Sequence, residues 1–462
     1  MTSIYRINYH LRAHKRDPLI EFIKGMLLTP FVLHATPSTA MVDQAPSSTL
    51  PVRDNSSGSA SHATPYMTDT CTSLAETQPT EKSDCDSSSA SHDTLPFVLR
   101  RNSDAIRANE QRYAEIMGDV EALIAEHITM QEKGLEKYSR LRRLVPTIGT
   151  FFTPLPLRDA FLYSNAKYAI ASRKYIPPSF NEIRRTLNTA QVWASAPHLK
   201  FITFDGDMTL YPDGQTFEEH SHLVGLIIRL LQADLTVAIV TAAGYTTETA
   251  RYEARISGLL KGFADANLSP EQLSRFYVMG GECNYLFQCG VDCGLHYIPE
   301  NEYSSHQVWS DHDLQSFLDV AELNLWQCVK DMKLDAKVLR KPKAVGLVPY
   351  SPLNREQLDE CALSTQQCLL QYNRVSTPDQ GRIPFCAFNG GNDVWVDIGN
   401  KLIGVQMLQE HLHFSPKETV HVGDQFLSTG NDIATRTACC TCWIINPEET
   451  QGILEELLQR LS

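Results

Sequence analysis

The sequence predicts an α/β protein: a parallel-sheet core, an inserted α+β domain and a helical N-terminal region. Three segments carry this expectation. FITFDGDMTL (201–210), LTVAIVTAAG (235–244) and TVHVGDQFLSTGND (419–432) are each an apolar, β-branched run that stops at small or acidic residues. Buried parallel strands read this way where they deliver side chains to the carboxyl edge of a sheet, the edge at which open α/β sheets bind ligands. Asp205, Asp207, Thr241 and Asp424 are therefore expected to converge from distant parts of the chain. Two acids, a hydroxyl and a third acid suit magnesium-dependent phosphoryl transfer.

Taken in chain order, residues 1–35 mix aromatic and apolar with basic residues and read as an ordered segment. They lack the apolar core of a signal peptide, and FIKGMLLTPFVL (22–33) is too short to span a bilayer. Residues 36–95 are rich in Ser, Thr, Ala, Pro and Asp. Few apolar groups there offset ordering entropy, so a disordered insertion is expected. Residues 96–197 read as a helical region of assembly or regulation. Within it, 98–145 lacks proline and spaces Ile106, Tyr113, Ile116, Val120, Leu123 and Ile124 mostly at helical steps.

The α/β core is expected at 198–261 and 393–462. Thr209 and Thr241 are separated by enough chain for one helix and one strand. The interval from Thr241 to Lys401 is far too long for a single crossover, so a cap domain is expected at 262–392. It holds strand-like runs at 338–349 and 383–399 and a helical run at 353–372.

The 462 residues exceed one ordinary domain, and the net charge of −13 argues against a basic nucleic-acid surface. The scattered cysteines, without a secretory signal, suggest free thiols in the cytosol.

Phosphate esters need a nucleophile, an acid for the leaving oxygen and charge neutralisation. Asp205 is placed to attack phosphorus, and Asp207 to protonate the leaving oxygen after a turn that Gly206 permits. Thr209 is expected to cap the next segment or to fix Asp207. Thr241 can donate its hydroxyl to a phosphoryl oxygen. Lys401 offers a compact countercharge at a helix start. Asp424 is a hard oxygen ligand for magnesium. Asp432 reads either as a second acid that orients water or Lys401, or as a helix cap. Asp213 and Asp397 are expected to meet ribose hydroxyls near the mouth, and Arg255 to reach phosphate or base. The basic loop at 340–343 can face the cleft.

DGDMT, the VT strand end, the helix-start Lys and GDQ…ND follow the order of the four motifs of the haloacid dehalogenase (HAD) superfamily. The insertion resembles its C2-type caps. More closely, FDGDMTLYPDG, IVTAAGY, RYEARISGLL, DVWVDIGNK and VGDQFLSTGND resemble the IMP-specific 5′-nucleotidase family, as do the opening YRINYHLRAHKRDPLIEFIKGMLLTPFVLHA and KYAIASRKYIPPSFNEIRRTLNTAQVW.

The resemblance implies a HAD-like Rossmannoid core and magnesium-dependent hydrolysis of IMP through an aspartyl-phosphate. In that reading Asp205 is the nucleophile and Asp207 the general acid/base, while Thr241 and Lys401 hold phosphate. Magnesium is held by Asp205, the backbone carbonyl of Asp207, and Asp424. Asp432 is the second acid of the fourth motif, although it lies eight residues after Asp424, where Ser428 occupies the commoner place. The resemblance also implies a homotetramer activated by ATP. The competing readings are a HAD sugar-phosphate phosphatase or phosphomutase and a non-catalytic nucleotide-sensing scaffold.

Overall fold

The computed structural model describes residues 17–33, 97–173, 176–304, 309–376 and 382–461. The expected disordered insertion at 36–95 and the first residues of the N-terminal segment lie outside them.

The core is a seven-stranded sheet. Its strands are β1 (Phe201–Phe204), β2 (Thr236–Val240), β3 (Phe276–Gly280), β4 (Tyr285–Cys289), β5 (Leu295–Ile298), β10 (Thr419–Gly423) and β11 (Cys440–Trp443). The order is β11-β10-β1-β2-β3-β4-β5, parallel throughout except for the antiparallel β4 and β5. β1, β2 and β10 are buried at every position, which explains why they read as continuous apolar runs. The register pairs Phe204 with Val422 on one side and Ile239 on the other. Asp205, Thr241 and Asp424 therefore emerge together at one edge.

Between the two halves of the core sits a cap, an antiparallel sheet ordered β6-β7-β9-β8. Its strands are β6 (Ala336–Lys341), β7 (Ala344–Pro349), β8 (Phe385–Asn389) and β9 (Val394–Ile398). Two long helices, Asp311–Asp331 and Arg355–Ser376, cover it, with Phe317, Leu325, Leu358 and Leu369 packed on Val345, Leu347, Val394 and Val396. The expected cap boundaries, 262–392, differ from these. β3, β4 and β5 extend the core sheet, and β9 belongs to the cap sheet. An antiparallel extension of a parallel sheet carries no sequence mark that separates it from an inserted domain.

The N-terminal region is helical. Here α1 is Pro18–Leu33, α2 is Phe97–Glu132, α3 is Leu157–Tyr168 and α4 is Phe180–Ser195. Of the residues that predicted α2, Tyr113, Val120 and Ile124 are buried against α1, α3 and α4, whereas Ile106 is exposed. α4 begins with a capping box: Glu182 N–H donates to Ser179 Oγ, and Ser179 N–H donates to Glu182 Oε2. This layer shares its apolar cluster with Phe426 and Trp443 of the core.

The cap returns to the core through Ile398, Gly399 and Asn400, directly into α5 (Lys401–Leu412). Gly399 has φ +84, and a Cβ there would overlap Cys283 Sγ at 2.1 Å. The Asn400 side chain caps α5 by accepting from Ile403 N–H at 3.0 Å. Val405 and Leu408 then bury the helix on Phe201, Ala238 and Val240. This packing fixes where the first-turn Lys401 stands.

Phe263 is fully buried and meets Phe276 of β3 edge-on at 5.1 Å. Phe263→Ala is expected to cost about 3–5 kcal/mol of stability, read as a shift of the denaturant midpoint.

Candidate active site

Lys401, Asp205, Asp432 and Asp424 meet at the carboxyl edge of the sheet. Lys401 is fully buried, and its Nζ lies 2.7 Å from Asp205 Oδ1 and 2.7 Å from Asp432 Oδ1. An ammonium has three protons, so one remains to donate elsewhere. Burial opposes its charge, but Asp205, Asp432 and Glu282 outweigh burial and hold Lys401 protonated far above neutrality.

Asp432 also meets His421 Nε2 at 3.0 Å and accepts from Gln425 N–H at 2.8 Å. His421 Nδ1 lies 2.8 Å from Thr203 Oγ1. Burial would raise Asp432, yet Lys401 and His421 hold it well below the usual carboxylate range. Asp432 opens the turn at 433–437 without capping it through its side chain. Its side chain pairs with Lys401 and makes no helix-cap hydrogen bond.

Asp205 is 6% exposed, and burial pushes it up to about 7 against the pull of Lys401. Asp424 is raised well above its ordinary value, first by burial and then by Asp205. Its Oδ1 is buried and makes no hydrogen bond among the described residues. Oxygen atoms of Asp205, Asp424 and Asp432 all lie within 4.8 Å of one another. Buried carboxyls thus outnumber the single ammonium, and one oxygen is left unsatisfied. An all-oxygen set of this kind fits a hard dication such as magnesium.

The other predicted residues are distributed around this cluster. Thr241 is buried, and its Oγ1 accepts from Ala243 N–H at 3.1 Å. A Cβ built on Gly206 would lie 3.5 Å from that oxygen, so Thr241 flanks the turn after Asp205. Asp207 accepts from Gly214 N–H at 2.9 Å and forms an ion pair with Arg255. Arg255 also lies over the Tyr211 ring at 5.0 Å. Arg255 therefore engages the second acid of the DGD turn rather than open solvent. Thr209 neither caps nor fixes Asp207. Its hydroxyl is buried without a partner among the described residues, and its carbonyl accepts from Thr450.

A cleft of about 460 Å³ opens between core and cap, lined by Asp207, Asp213, Arg355, Asn389, Asn392 and Asp424 among others. Asp213 stands at this mouth and accepts from Asn392 Nδ2 of the cap at 2.5 Å. Asp397 does not stand beside it. Asp397 is buried in β9 and lines a separate small recess with Lys341, Lys343 and Asn284. Of the basic cap loop, Lys341 covers the Trp395 ring at 4.1 Å, and Lys343 pairs with Glu300.

Sequence reasoning missed Glu282, Asn431 and His421. Glu282 follows β3, is fully buried and accepts from Asn431 Nδ2 at 2.8 Å. Burial pushes its carboxyl up to about 8, against Lys401. Its signal was available: two glycines and an acid directly after the apolar run FYVM.

A family profile described as IMP-specific 5′-nucleotidase matches residues 1–454. The chain is 38% identical over 504 residues to IMP-specific 5′-nucleotidase 1 of Emericella nidulans, covering 99% of this chain and 98% of that protein. It is 39% identical over 482 residues to the protein of the same name from Neurospora crassa, with coverage of 99% and 98%. Among solved structures it resembles an IMP-bound aspartate-to-asparagine mutant of Plasmodium falciparum IMP-nucleotidase. There the TM-score is 0.71 at 36% identity, over 79% of this chain and 93% of that one. The ATP-bound form of the Plasmodium protein matches with TM-score 0.67 at 36% identity, over 79% and 84%.

Two outcomes test the site as built. A Cβ at Gly423 would lie 2.5 Å from the Asp432 carboxylate. Gly423→Ala is expected to displace Asp432 and lower phosphate-ester turnover by about tenfold or more, measured as kcat on folded protein. The second concerns Asp397, which burial pushes up to about 7 despite Lys341. The unfolded chain releases this proton near pH 4, whereas the folded protein keeps it until about 7. Stability therefore falls as pH rises through that window and is level above it. Asp397→Asn removes the effect, so its stability relative to wild type should rise by up to about 4 kcal/mol between pH 4 and pH 7. Denaturant titrations at both ends of the window check this.

Proposed function

The chain belongs to the IMP-specific 5′-nucleotidase family, and on that premise we propose that it hydrolyses inosine 5′-monophosphate to inosine and phosphate. The observation that carries the reading is the buried Lys401 ammonium between Asp205 and Asp432, with Asp424 beside them at the sheet edge. A phosphoryl group entering from the cleft would meet a carboxylate, an ammonium proton and the Thr241 hydroxyl together.

In the proposed reaction the Asp205 carboxylate attacks phosphorus, and a phosphorus–oxygen bond to Asp205 forms as the bond to O5′ breaks. Asp207 gives its proton to O5′, and inosine leaves. Asp207 then takes a proton from water as the water oxygen attacks the aspartyl-phosphate, and phosphate leaves with Asp205 regenerated. Lys401 stabilises negative charge on the phosphoryl oxygens throughout. Asp205, Asp424 and the backbone carbonyl of Asp207 would hold magnesium, with Asp432 as the second acid of the fourth motif. Bound there, the ion would neutralise phosphoryl charge and keep Asp205 ionised.

Arg255 and Asp213 act in this reading at the substrate end of the cleft: Arg255 steadies Asp207, and Asp213 faces the ribose. Asp397 would meet substrate from the recess that it lines with Lys341 and Asn284. We further propose ATP as an activator, assembly as a homotetramer and a cytoplasmic setting. The ATP-bound form of the Plasmodium relative and the family's membership support the effector. No described helix is long and apolar enough to cross a membrane.

Phosphate release from IMP, AMP, GMP and a hexose phosphate, with and without magnesium and ATP, tests the whole reading. IMP should be strongly preferred, magnesium required and ATP stimulatory. Asp205→Asn should lose about 10³-fold or more of kcat and Asp207→Asn about 10²–10⁴-fold. Preference for the hexose phosphate would reassign the substrate. Activity unaltered by Asp205→Asn would remove the mechanism.

A further inference from the structure

Trp443 closes β11 and stands between the acid cluster and the N-terminal helices. It is only 8% exposed. Its indole Nε1–H donates to the backbone carbonyl of Asp424 at 2.9 Å. The N–H of the same peptide unit, on Gln425, donates to Asp432 Oδ2 at 2.8 Å. The peptide that follows Asp424 is thus held at both ends. The Asp424 carboxylate itself has an oxygen with no partner among the described residues. Its placement therefore depends on the backbone to which it is attached.

Trp443 is in turn held by α4. Its N–H donates to Asn188 Oδ1 at 3.0 Å, and its carbonyl accepts from Asn188 Nδ2 at 2.6 Å and from Arg184 Nη1. The Phe180 ring meets the indole edge-on at 5.4 Å. Arg436 lies 5.9 Å from the indole and 5.1 Å from Phe426, and it pairs with Asp17 beside α1 at 2.6 Å.

An indole used only as apolar filler would need some acceptor for its N–H. Here the acceptor is the carbonyl adjoining a metal-ligand candidate, and the backbone of Trp443 is fixed by side chains from another layer. We propose that Trp443 is a positioning residue for Asp424, its indole N–H setting the geometry of the metal-holding acids. The inference rests on the magnesium reading given above. Partners of this kind, which orient a ligand without touching the ion, are typically worth about 10–100-fold in metal affinity.

The test is a calorimetric titration of magnesium chloride into the full chain without nucleotide, using wild type, Trp443→Phe and Phe180→Leu. Trp443→Phe keeps an aromatic ring and loses the N–H. It should bind magnesium at least about tenfold more weakly, with kcat lowered and KM for IMP nearly unchanged. Phe180→Leu removes a ring contact and leaves the N–H bond, so it should lower the melting temperature and keep magnesium affinity. If Trp443→Phe melts too early to titrate, 3-benzothienylalanine at this position replaces the N–H by sulfur at the same shape and should weaken magnesium equally. Unchanged affinity in either Trp443 replacement, or an equal loss in Phe180→Leu, would overturn the proposal. Failure of the wild type to bind magnesium would overturn the metal reading and this inference together, and is told apart because the wild type itself fails.

Discussion

Much of this molecule depends on one buried ammonium. Lys401 lies 2.7 Å from the carboxylates of Asp205 and Asp432, which are remote in sequence. Without it, Asp205, Asp432, Asp424 and Glu282 would be four acids sharing a dry volume, and burial alone would drive protons onto them. Breaking such a cluster by removing its cation leaves uncompensated charge, which is among the costliest changes a core can suffer. The fold therefore has to hold Lys401 firmly. It does so with a capped helix whose Val405 and Leu408 are buried against β1 and β2. The same contacts that stabilise the core place the Lys401 ammonium between its two acids.

The cap is tied to this arrangement at several points. Its last strand runs through Gly399 and Asn400 into the helix that begins with Lys401. Across the cleft, Asn389 N–H donates to the Thr429 carbonyl at 3.0 Å, and Thr429 Oγ1 lies 3.1 Å from Asp359 Oδ1. Thr429 belongs to the loop that also carries Asp424 and Asp432. Asn392 reaches Asp213 on the other wall. The cap thus touches both acid-bearing loops, and the cleft between them is shaped by hydrogen bonds rather than by an apolar seam.

The core of the site was legible because its logic is local in sequence. A buried strand that ends in an acid announces both its burial and its edge, and β1 and β10 do so at Asp205 and Asp424. Asp432 was legible as an acid but ambiguous in role, since its partners Lys401 and His421 come from other elements. His421 reads as one more strand residue, and only the register beside Thr203 gives it a purpose. Glu282 was hidden for a different reason. The chain after 262 had been assigned to the cap, and that hid the edge of β3, where Glu282 enters. Alternation along β9 does not say which recess Asp397 lines, and the structure puts it beside Lys341 and Asn284, apart from Asp213. Arg255 needed the fold of the DGD turn, which brings Asp207 to it across nearly fifty residues of chain.

The return path of the cap has a consequence for how such a protein can diversify. The described residues from Asp311 to Asp397 lie between a core strand and a three-residue joint, and no strand among them enters the seven-stranded sheet. The length and surface of that stretch are open to drift, and with them the identity of the leaving group that the enzyme accepts. The joint is not open in this way. Any side chain at position 399 would meet Cys283, and any added residue would move the lysine off the two acids that it neutralises. A foreign cap grafted onto this core would inherit catalysis only if it came back on a strand ending in glycine, one residue before the helix cap.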